Sequence, residues 1–459
     1  MALGSGLAAA DFDNNLEKTF EVGPGGKLVV EADRGTIEVT TAPVDKVQVR
    51  VLRRVKGGNK AETDKLFANH EVVFSQQGST VSVVGKNKEN LPRVSGPNSP
   101  QLEVRYEINI PKKFGADLKT AGADIRVGEL DGTAKARTSS GTITLPQVTG
   151  KIEASNAGGD ITIGAAGADL AALTSSGSIR VQQVGGPADL SNAGGDIHVG
   201  KAQEKVRAKT SSGTIDLKSV NGDLEAINAG GDIAAGTIGG TVQASTTSGS
   251  IKIGQVKGKS ARVDNAGGSI QIETADGAVT AKTTSGRITI KKAKGAVEAK
   301  NAGGDINLDE AGGPLTATTT SGSITVKSAN DSVNVRDAGG DIKVEQVKGA
   351  IQAHTSSARI TVGLIASPPK DCALEVAGGD ILMTVPKSIA VDLDAKSNGG
   401  SVRCDLPAAN IVNREGGSGA LRGKINGGGP KLFLRTTSGD IQLKASNITP
   451  KLEAEAEAK

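Results

Sequence analysis

The residues of this chain that could do chemistry recur at regular intervals. An Asp follows a Gly-Gly pair at Asp160, Asp196, Asp232, Asp305, Asp341 and Asp380. Repeated Gly and Asp bind calcium in some parallel β-rolls, but the nonapeptide Gly-Gly-x-Gly-x-Asp does not occur here. One Asp for every two repeats also supplies too few oxygens for the 6–8 ligands that calcium takes. We therefore predict that these carboxylates accept hydrogen bonds from backbone amides at corners of the fold, and that the chain holds no metal.

A series of amides runs beside the Asp series. The sequence Asn-Ala-Gly-Gly begins at Asn156, Asn192, Asn228, Asn265 and Asn301, and Asp337 takes the Asn position in the next copy. Small apolar residues two and four positions earlier share the phase of each Asn, so its side chain should point inward. A stacked, inward Asn can satisfy backbone groups that water does not reach. We predict that role for the series rather than ligand binding.

Cleavage of polysaccharide is the main enzymatic alternative, since other β-helices carry such sites. It needs paired carboxylates, or a metal with a base, in a cleft. The repeats leave corners of only a few residues, and Tyr106 is the one Tyr of the chain. His70, His198 and His354 are far apart in sequence, so no metal cluster is expected. We predict a protein that is not an enzyme, with no catalytic, cofactor-binding or metal-binding residues and no cofactor.

A Gly-x-Ile step sets the spacing of all these residues. The Gly position recurs every 18 residues with one slip of a single residue, at Gly141, Gly159, Gly177, Gly195, Gly213, Gly231, Gly249, Gly268, Gly286, Gly304, Gly322, Gly340 and Ala358. A period this short indicates a solenoid, in which each repeat stacks on the next. Aliphatic residues recur two after each Ile and nine before the next one, which predicts two short strands per repeat with alternating inward side chains.

A second, longer period is superimposed on the first. Thr-Ser-Ser-Gly and Asn-Ala-Gly-Gly alternate, so that each returns after 36 or 37 residues. Coils of 18 and of 36 residues both fit this alternation. We favour 18, because the loss of the alternation near the C-terminus then requires no change in coil size. The predicted fold is all-β, a single-stranded β-solenoid (β-helix) with about 18 residues per coil and an N-terminal β-rich cap.

The domain organisation follows from where the repeat is regular. We expect a signal remnant or disordered leader at 1–10, the cap at 11–120 with a short helix at 61–70, repeats at 121–445 and a charged tail at 446–459. An irregular loop is expected within the repeats, at 405–430. Cys372 and Cys404 occupy positions that are apolar in other coils, so either two buried thiols or one disulfide fits.

Composition narrows the range of partners. The chain has 54 basic and 50 acidic residues, and its net charge of +4 gives no nucleic-acid footprint. Aromatic residues make up 2% of the chain, and Trp is absent. No apolar run approaches the ~20 residues of a membrane-spanning helix. We expect no nucleic-acid partner and no transmembrane span.

Three parts of the chain resemble the bacterial putative-adhesin family of β-strand-repeat domains. They are the run 104–111 leading into 116–120 and Asp124-Ile125, the Thr-Ser-Ser-Gly-x-Ile units, and the closing run 427–430 before Leu432 and 437–441. The resemblance covers roughly 20–445. It implies a β-helix that is often exported or surface-associated and of largely unassigned function, with no catalytic residues to carry over.

These observations lead to one functional expectation. The chain should be a non-enzymatic, adhesin-like binding or scaffold protein, located outside the cytoplasm in the cell envelope or secreted. Outward Lys, Arg, Thr and Asp residues, or the irregular segments 50–101 and 405–430, would contact an unknown surface ligand, protein or glycan, through many weak contacts. A self-assembling filament or an envelope-stress sensor module is the alternative, and a polysaccharide-active enzyme comes third. End-to-end self-association stays open.

Overall fold

The computed structural model describes residues 12–89, 99–407, 411–415 and 417–446. The chain forms two compact units, Met1–Ala226 and Ile227–Lys459. Each unit is built from stacked β-strand coils, so the predicted all-β solenoid is confirmed. The expected leader at 1–10 and all of the expected tail except Ser446 lie outside the described residues.

The described part of the N-terminal unit consists of strands and one helix. They are β1 (Phe12–Asp13), β2 (Leu16–Glu21), β3 (Lys27–Ala32), β4 (Thr36–Ala42), β5 (Lys46–Lys56), α1 (Lys60–Asn69), β6 (His70–Gln77), β7 (Thr80–Asn87), β8 (Gln101–Pro111), β9 (Gly115–Thr120), β10 (Ile125–Val127), β11 (Ala134–Thr138), β12 (Ile143–Val148), β13 (Ile152–Asn156), β14 (Ile161–Ala166), β15 (Leu170–Thr174), β16 (Ile179–Val184), β17 (Ala188–Asn192), β18 (Ile197–Ala202), β19 (Val206–Thr210) and β20 (Ile215–Val220). The division between the units falls within β21 (Leu224–Asn228).

The described part of the C-terminal unit continues with strands alone. They are β22 (Ile233–Ile238), β23 (Val242–Thr246), β24 (Ile251–Val256), β25 (Ser260–Asn265), β26 (Ile270–Ala275), β27 (Ala278–Thr283), β28 (Ile288–Ala293), β29 (Val297–Asn301), β30 (Ile306–Ala311), β31 (Leu315–Thr319), β32 (Ile324–Ala329), β33 (Val333–Asp337), β34 (Ile342–Val347), β35 (Ile351–Thr355), β36 (Ile360–Leu364), β37 (Cys372–Val376), β38 (Ile381–Pro386), β39 (Val391–Ser397), β40 (Val402–Cys404), β41 (Ile411–Glu415), β42 (Ala420–Ile425), β43 (Lys431–Thr436) and β44 (Ile441–Ser446).

Each coil gives one strand to each of two parallel sheets. In the first sheet, which contains the Gly-x-Ile strands, Ile143 lies opposite Ile161. In the second sheet, whose strands end in Thr or Asn, Ala134 lies opposite Ile152. Both steps are 18 residues, so the 18-residue coil is confirmed and the 36-residue coil is wrong.

A narrow core runs between the two sheets. In the first-sheet strands of the regular repeats three aliphatic side chains point inward, and in β12 these are Ile143, Leu145 and Val148, all with 0% exposure. Inward Ala and Leu residues of the second sheet face them, as Ala172 and Leu190 do. Each fully buried Ile or Leu contributes about 1.5–3 kcal/mol. A space this thin is filled by aliphatic side chains, which explains why the repeats use so few aromatic residues.

The first coil in the sequence is the second coil in the stack. Strand β3 pairs in parallel with β7 on one side and with β9 on the other, so that Val30 lies between Val83 and Leu118. Strand β4 likewise lies between β8 and β10. The coil formed by β3 and β4 therefore lies between two coils that come later in the sequence. Both of its edges are hydrogen-bonded.

Antiparallel strands and the helix complete the N-terminal end, as the predicted β-rich cap requires. Strand β5 pairs with β8, strands β1 and β2 pair with β5, and β6 pairs with β7. Helix α1 begins at Asn59, which forms a capping box with Glu62, and it confirms the predicted helix. The buried Arg53 guanidinium donates to the carbonyl oxygens of Phe67 at 3.3 Å and His70 at 2.8 Å, and so fixes the C-terminal end of the helix.

The C-terminal unit ends with the same insertion. Strand β43 pairs in parallel with β37 and with β39, and Leu434 lies between Leu374 and Ala395. Strand β44 lies between β38 and β40 in the first sheet. The last described coil is thus enclosed between two earlier ones.

The segment 405–430, expected to be an irregular loop, contains two strands. Strand β42 pairs antiparallel with β39 and with β41, and it buries Leu421 and Ile425. Part of the Gly-rich composition that suggested a loop belongs to the turn after β42, where Gly427 and Gly428 have φ angles of 90° and 86°. Residues 408–410 and 416 lie outside the described residues. The remaining domain boundaries stay a prediction.

Hydrogen exchange tests the inserted coils directly. Amides of 28–32 and 432–436 should exchange as slowly as those of 152–156, because each strand has a hydrogen-bonded neighbour on both sides. Terminal strands with one free edge would exchange much faster. Fast exchange at 28–32, with slow exchange at 80–87, would contradict the described order of coils.

Candidate functional site

The corner residues of the repeats link one coil to the next. Thr174 Oγ1 donates to the carbonyl oxygen of Gly159 at 2.9 Å, and Asn192 Nδ2 donates to that of Gly177 at 2.6 Å. Asn192 Oδ1 also accepts from the Gly195 amide at 3.0 Å. Thr and Asn therefore perform the same inter-coil task, and the prediction that the Asn series satisfies backbone groups is confirmed.

The recurrent Asp carboxylates also bind backbone amides. Asp160 Oδ1 accepts from the Ser178 amide at 2.7 Å, and Asp305 Oδ1 accepts from the Ser323 amide at 3.0 Å. Each bond reaches 18 residues ahead, into the next coil. These carboxylates are corner acceptors as predicted, and in the described residues no group of three or more His, Cys, Asp or Glu side chains could hold a metal ion.

Asp337 is the exception in the Asn series. Its side chain is 3% exposed, and its Oδ1 accepts from the Gly339 amide at 3.0 Å. Its Oδ2 lies where an Asn would carry its NH2 group, and has no hydrogen-bond partner among the described residues. Burial raises the pKa of Asp337, although backbone amides oppose the rise. The neutral acid is therefore the form that suits this position, because only that form can donate a hydrogen bond there.

Many outward side chains of the repeats form ion pairs with the neighbouring coil. In the C-terminal unit Lys291 Nζ lies 2.5 Å from Glu273, and Lys327 Nζ lies 2.9 Å from Asp309. In the N-terminal unit Lys135 pairs with Glu153. Exposed pairs of this kind contribute about 0–1 kcal/mol each. They also matter for binding, because a charge that is already paired is less available to a ligand.

The three histidines lie in three separate places. His70 is buried in the cap, with its Nε2 3.4 Å from the Tyr106 hydroxyl. His198 projects outward between Asp196 and Asp216, at 3.8 and 3.7 Å. His354 is also outward, beside Glu375 at 3.6 Å. The structure brings no two of them together.

A shallow groove crosses the outer face of the first sheet at the N-terminal end. Its floor is a row of uncharged polar residues on four adjacent strands, paired in register in the order Thr19, Gln48, Asn109, Thr40. We call this row and its borders the cap groove. Its volume is about 400 Å³, and its lining residues are Glu17, Lys18, Thr19, Glu38, Thr40, Gln48, Val49, Arg50, Glu107, Ile108 and Asn109.

The neighbouring row of the cap groove is a network of ion pairs. Arg50 Nε lies 2.7 Å from Glu17, and Glu38 is held by Arg126 at 3.0 Å and by Arg105. Burial would raise the pKa of Glu38, but its hydrogen bonds and charge interactions with these arginines outweigh burial and lower it. The Glu38 carboxylate is thus ionised, and both arginines bind it. By contrast, Asn109 Oδ1 is buried and accepts no hydrogen bond from any described residue.

A second depression lies on the second sheet of the same unit. Its volume is about 430 Å³, and it forms because Ser155, Ala171 and Ser191 have short side chains. Leu173, at its centre, is 51% exposed. The outward phases were expected to carry binding residues, but neither the repeat pattern nor composition singled out this place or the cap groove.

Comparison with known families now places the chain. The profile of the Toastrack DUF4097 family matches residues 26–237, 197–333 and 311–444. This chain belongs to the Toastrack DUF4097 family. The resemblance noted in the sequence is therefore confirmed. No curated protein matches the chain.

Two solved structures match this Toastrack chain. One is a putative cell adhesion protein from Clostridium sporogenes, with 9% identity and a TM-score of 0.16, over 94% of this chain and 100% of that one. The other is a putative adhesin from Bacteroides fragilis, with 15% identity and a TM-score of 0.19, over 72% of this chain and 97% of that one.

The two cysteines of this Toastrack chain are not joined in a disulfide. Cys372 and Cys404 are both thiols; Cys372 is buried, and Cys404 is half-buried. Burial raises the pKa of the Cys372 thiol, which makes it inert rather than reactive. No helix among the described residues is long and apolar enough to cross a membrane.

Replacing Asp337 by Asn should stabilise the C-terminal unit at neutral pH. The amide restores the missing donor, and the cost of a buried unsatisfied polar group is about 1–3 kcal/mol. Because the folded pKa of Asp337 is raised, the folded wild type takes up a proton on acidification, so the advantage of Asp337→Asn should shrink. Urea unfolding at neutral and acidic pH measures both effects. The reverse change Asn301→Asp should destabilise; equal stability of all three proteins would refute the argument.

His70 should make the N-terminal unit sensitive to acid. Burial first, and then the charges of Arg53 and Arg34, lower its pKa from 6.5 to about 4. The unfolded chain therefore binds a proton that the folded chain excludes, and stability falls from pH 6.5 to 4 by about 3 kcal/mol. His70→Gln should remove this slope in thermal unfolding, whereas His198→Gln should retain it. An unchanged slope in His70→Gln would contradict the assignment.

Proposed function

We propose that this protein is a non-enzymatic, adhesin-like binding module, exported or associated with the cell envelope, whose cap groove holds a hydroxyl-rich ligand such as a glycan. The observation that carries the proposal is the contrast between the two outer surfaces of the N-terminal unit. Many outward charges in the repeats are paired between coils, as those of Lys135, Arg137 and Arg207 are. The floor of the cap groove instead carries a row of uncharged amides and hydroxyls.

The chemistry of the row suits a ligand that both donates and accepts hydrogen bonds. The amide of Gln48 offers two donors and an acceptor, and the hydroxyl of Thr19 offers a donor. Asn109 contributes its NH2 group, because its Oδ1 is buried. Thr40 contributes an acceptor, because its hydroxyl donates to the carbonyl oxygen of Ile108 at 3.5 Å. The strands lie about 4.8 Å apart, so the four side chains form a regularly spaced line across the groove. A chain of hydroxyl-bearing units could lie along this line.

The same groove lacks the properties of a hydrolase site. A general acid needs a raised pKa, whereas the arginines lower the pKa of Glu38. Glu17 is likewise engaged by Arg50. Because these two carboxylates are held in ion pairs, they are suited to maintain the groove as a binding surface and not to transfer a proton. Self-association is the second candidate function, because β6 has one edge without a strand partner among the described residues.

Binding to immobilised neutral polysaccharides tests the proposal. The combined change Gln48→Ala and Asn109→Ala should weaken binding of the full chain about tenfold, because each hydrogen bond contributes about 0.5–1.5 kcal/mol. The matched control replaces Gln182 and Gln183, two exposed residues of β16, by Ala and should bind as wild type.

The same experiment separates the parts of the proposal. Equal affinity of both variants would remove the cap groove as the binding site, and any released saccharide product would overturn the non-enzymatic assignment. Adding the polysaccharide to intact producing cells tests location. Binding before lysis is expected, and binding only after lysis would contradict surface exposure.

A further inference from the structure

Strand β6 is the outermost strand of the second sheet at the N-terminal end. It pairs with β7 along its whole length, from His70 opposite Asn87 to Gln77 opposite Thr80. The pairings of the described residues place no strand on its other side. An outermost strand of eight residues is long enough to pair with another chain.

The hairpin geometry decides which backbone groups face the open edge. Strands β6 and β7 are joined by the two-residue turn Gly78-Ser79, where Gly78 has a φ of 59°. In such a hairpin the residues next to the turn exchange hydrogen bonds, and every second residue follows. Gln77 and Val73 therefore bond to β7. Val72 and Phe74 direct their N–H and C=O groups toward the open edge.

The side chains of β6 do little to protect this edge. Val73 is 50% exposed on the outer face, and Val72 and Phe74 are half-buried on the inner face. Glu71 is the only acidic residue in the strand, and the neighbouring His70 is buried. Strand β2, outermost in the first sheet at the same end, instead carries Glu17, Lys18 and Glu21. Charges of this kind are the usual protection of a free edge.

One register makes β6 complementary to itself. We propose that β6 pairs antiparallel with β6 of a second copy of this chain, about a two-fold axis at Val73. Opposite residues then share a face, and Val73 meets Val73 while Val72 meets Phe74. Glu71 lies opposite Ser75, so the two glutamates do not face each other. A two-fold contact also closes on itself, and it forms dimers rather than filaments.

The pairing satisfies the free backbone groups of both copies at once. Val72 of one copy and Phe74 of the other form a hydrogen-bonded pair, and Val73 occupies the non-hydrogen-bonded position between them. Two Cα atoms at such a position lie about 4.5 Å apart. The dimer would carry two cap grooves, and this would raise the avidity of a repetitive ligand. The pairing itself does not depend on the proposed binding function.

Disulfide trapping tests the register. In the full chain, Val73→Cys should give a covalent dimer under mild oxidation, because the predicted separation falls within the 4.4–6.8 Å that a disulfide spans. The matched control is Ser75→Cys, on the same face and also exposed, which lies opposite Glu71 and should give no covalent dimer. Wild type under the same oxidation controls for Cys372 and Cys404.

Sedimentation velocity across a wide concentration range provides the second readout. Wild type should show a reversible dimer, and Val73→Lys should abolish it by placing two like charges opposite each other. Leu173→Lys removes an equally exposed apolar residue from an interior strand and should leave the dimer intact. Equal trapping of both Cys variants, a monomeric wild type at all concentrations, or a dimer lost only in Leu173→Lys would each overturn the proposal. Saccharide binding by a monomeric Val73→Lys would leave the proposed function standing.

Discussion

The hydrogen bond from a buried Thr or Asn to a glycine carbonyl in the preceding coil is the interaction on which this structure depends. Each corner must turn the chain while adjacent coils remain stacked, and the corner backbones approach closely. A Cβ atom added at Gly159 would lie 2.1 Å from the carbonyl oxygen of Gly141, so only glycine fits there. A carbonyl in this position is shielded from water, and an inward Thr or Asn supplies the missing donor.

The 36-residue alternation follows from this stacking. Each coil contacts only the coils before and after it, so an alternating sequence always places unlike coils together. Asn meets a Thr corner, and acidic residues meet basic ones, as Glu273, Lys291, Asp309 and Lys327 do in succession. Two identical coils would place like charges opposite each other, and such an arrangement is destabilising. The alternation therefore favours one register. At Asp337 the donor of the Asn series is missing, and Oδ2 has no hydrogen-bond partner among the described residues.

Much of the repeat structure could be predicted from the sequence, because its signals are local. The inward positions, the 18-residue step and the corner role of Asn156 and Asp160 all follow from spacing. The inserted coils could not be predicted. Leu28 and Val30 have the pattern of any strand, and nothing in that pattern says that β7 and β9 lie on either side. The order in which coils stack depends on contacts between distant parts of the sequence. The repeat period predicts contacts only between coils that follow each other in the sequence.

The cap groove could not be predicted from the sequence, because it too depends on non-local pairing. Thr19, Gln48, Asn109 and Thr40 come from strands distant in sequence, and only the cap topology brings them into one row. Within the repeats, the corner amides, hydroxyls and carboxylates described above form hydrogen bonds to the backbone of the neighbouring coil. The antiparallel ends are free of that requirement, because no further coil must fit on them. A row such as that of the cap groove and an unpaired edge such as that of β6 therefore occur where the repeat stops, and function in a regular solenoid is best sought there.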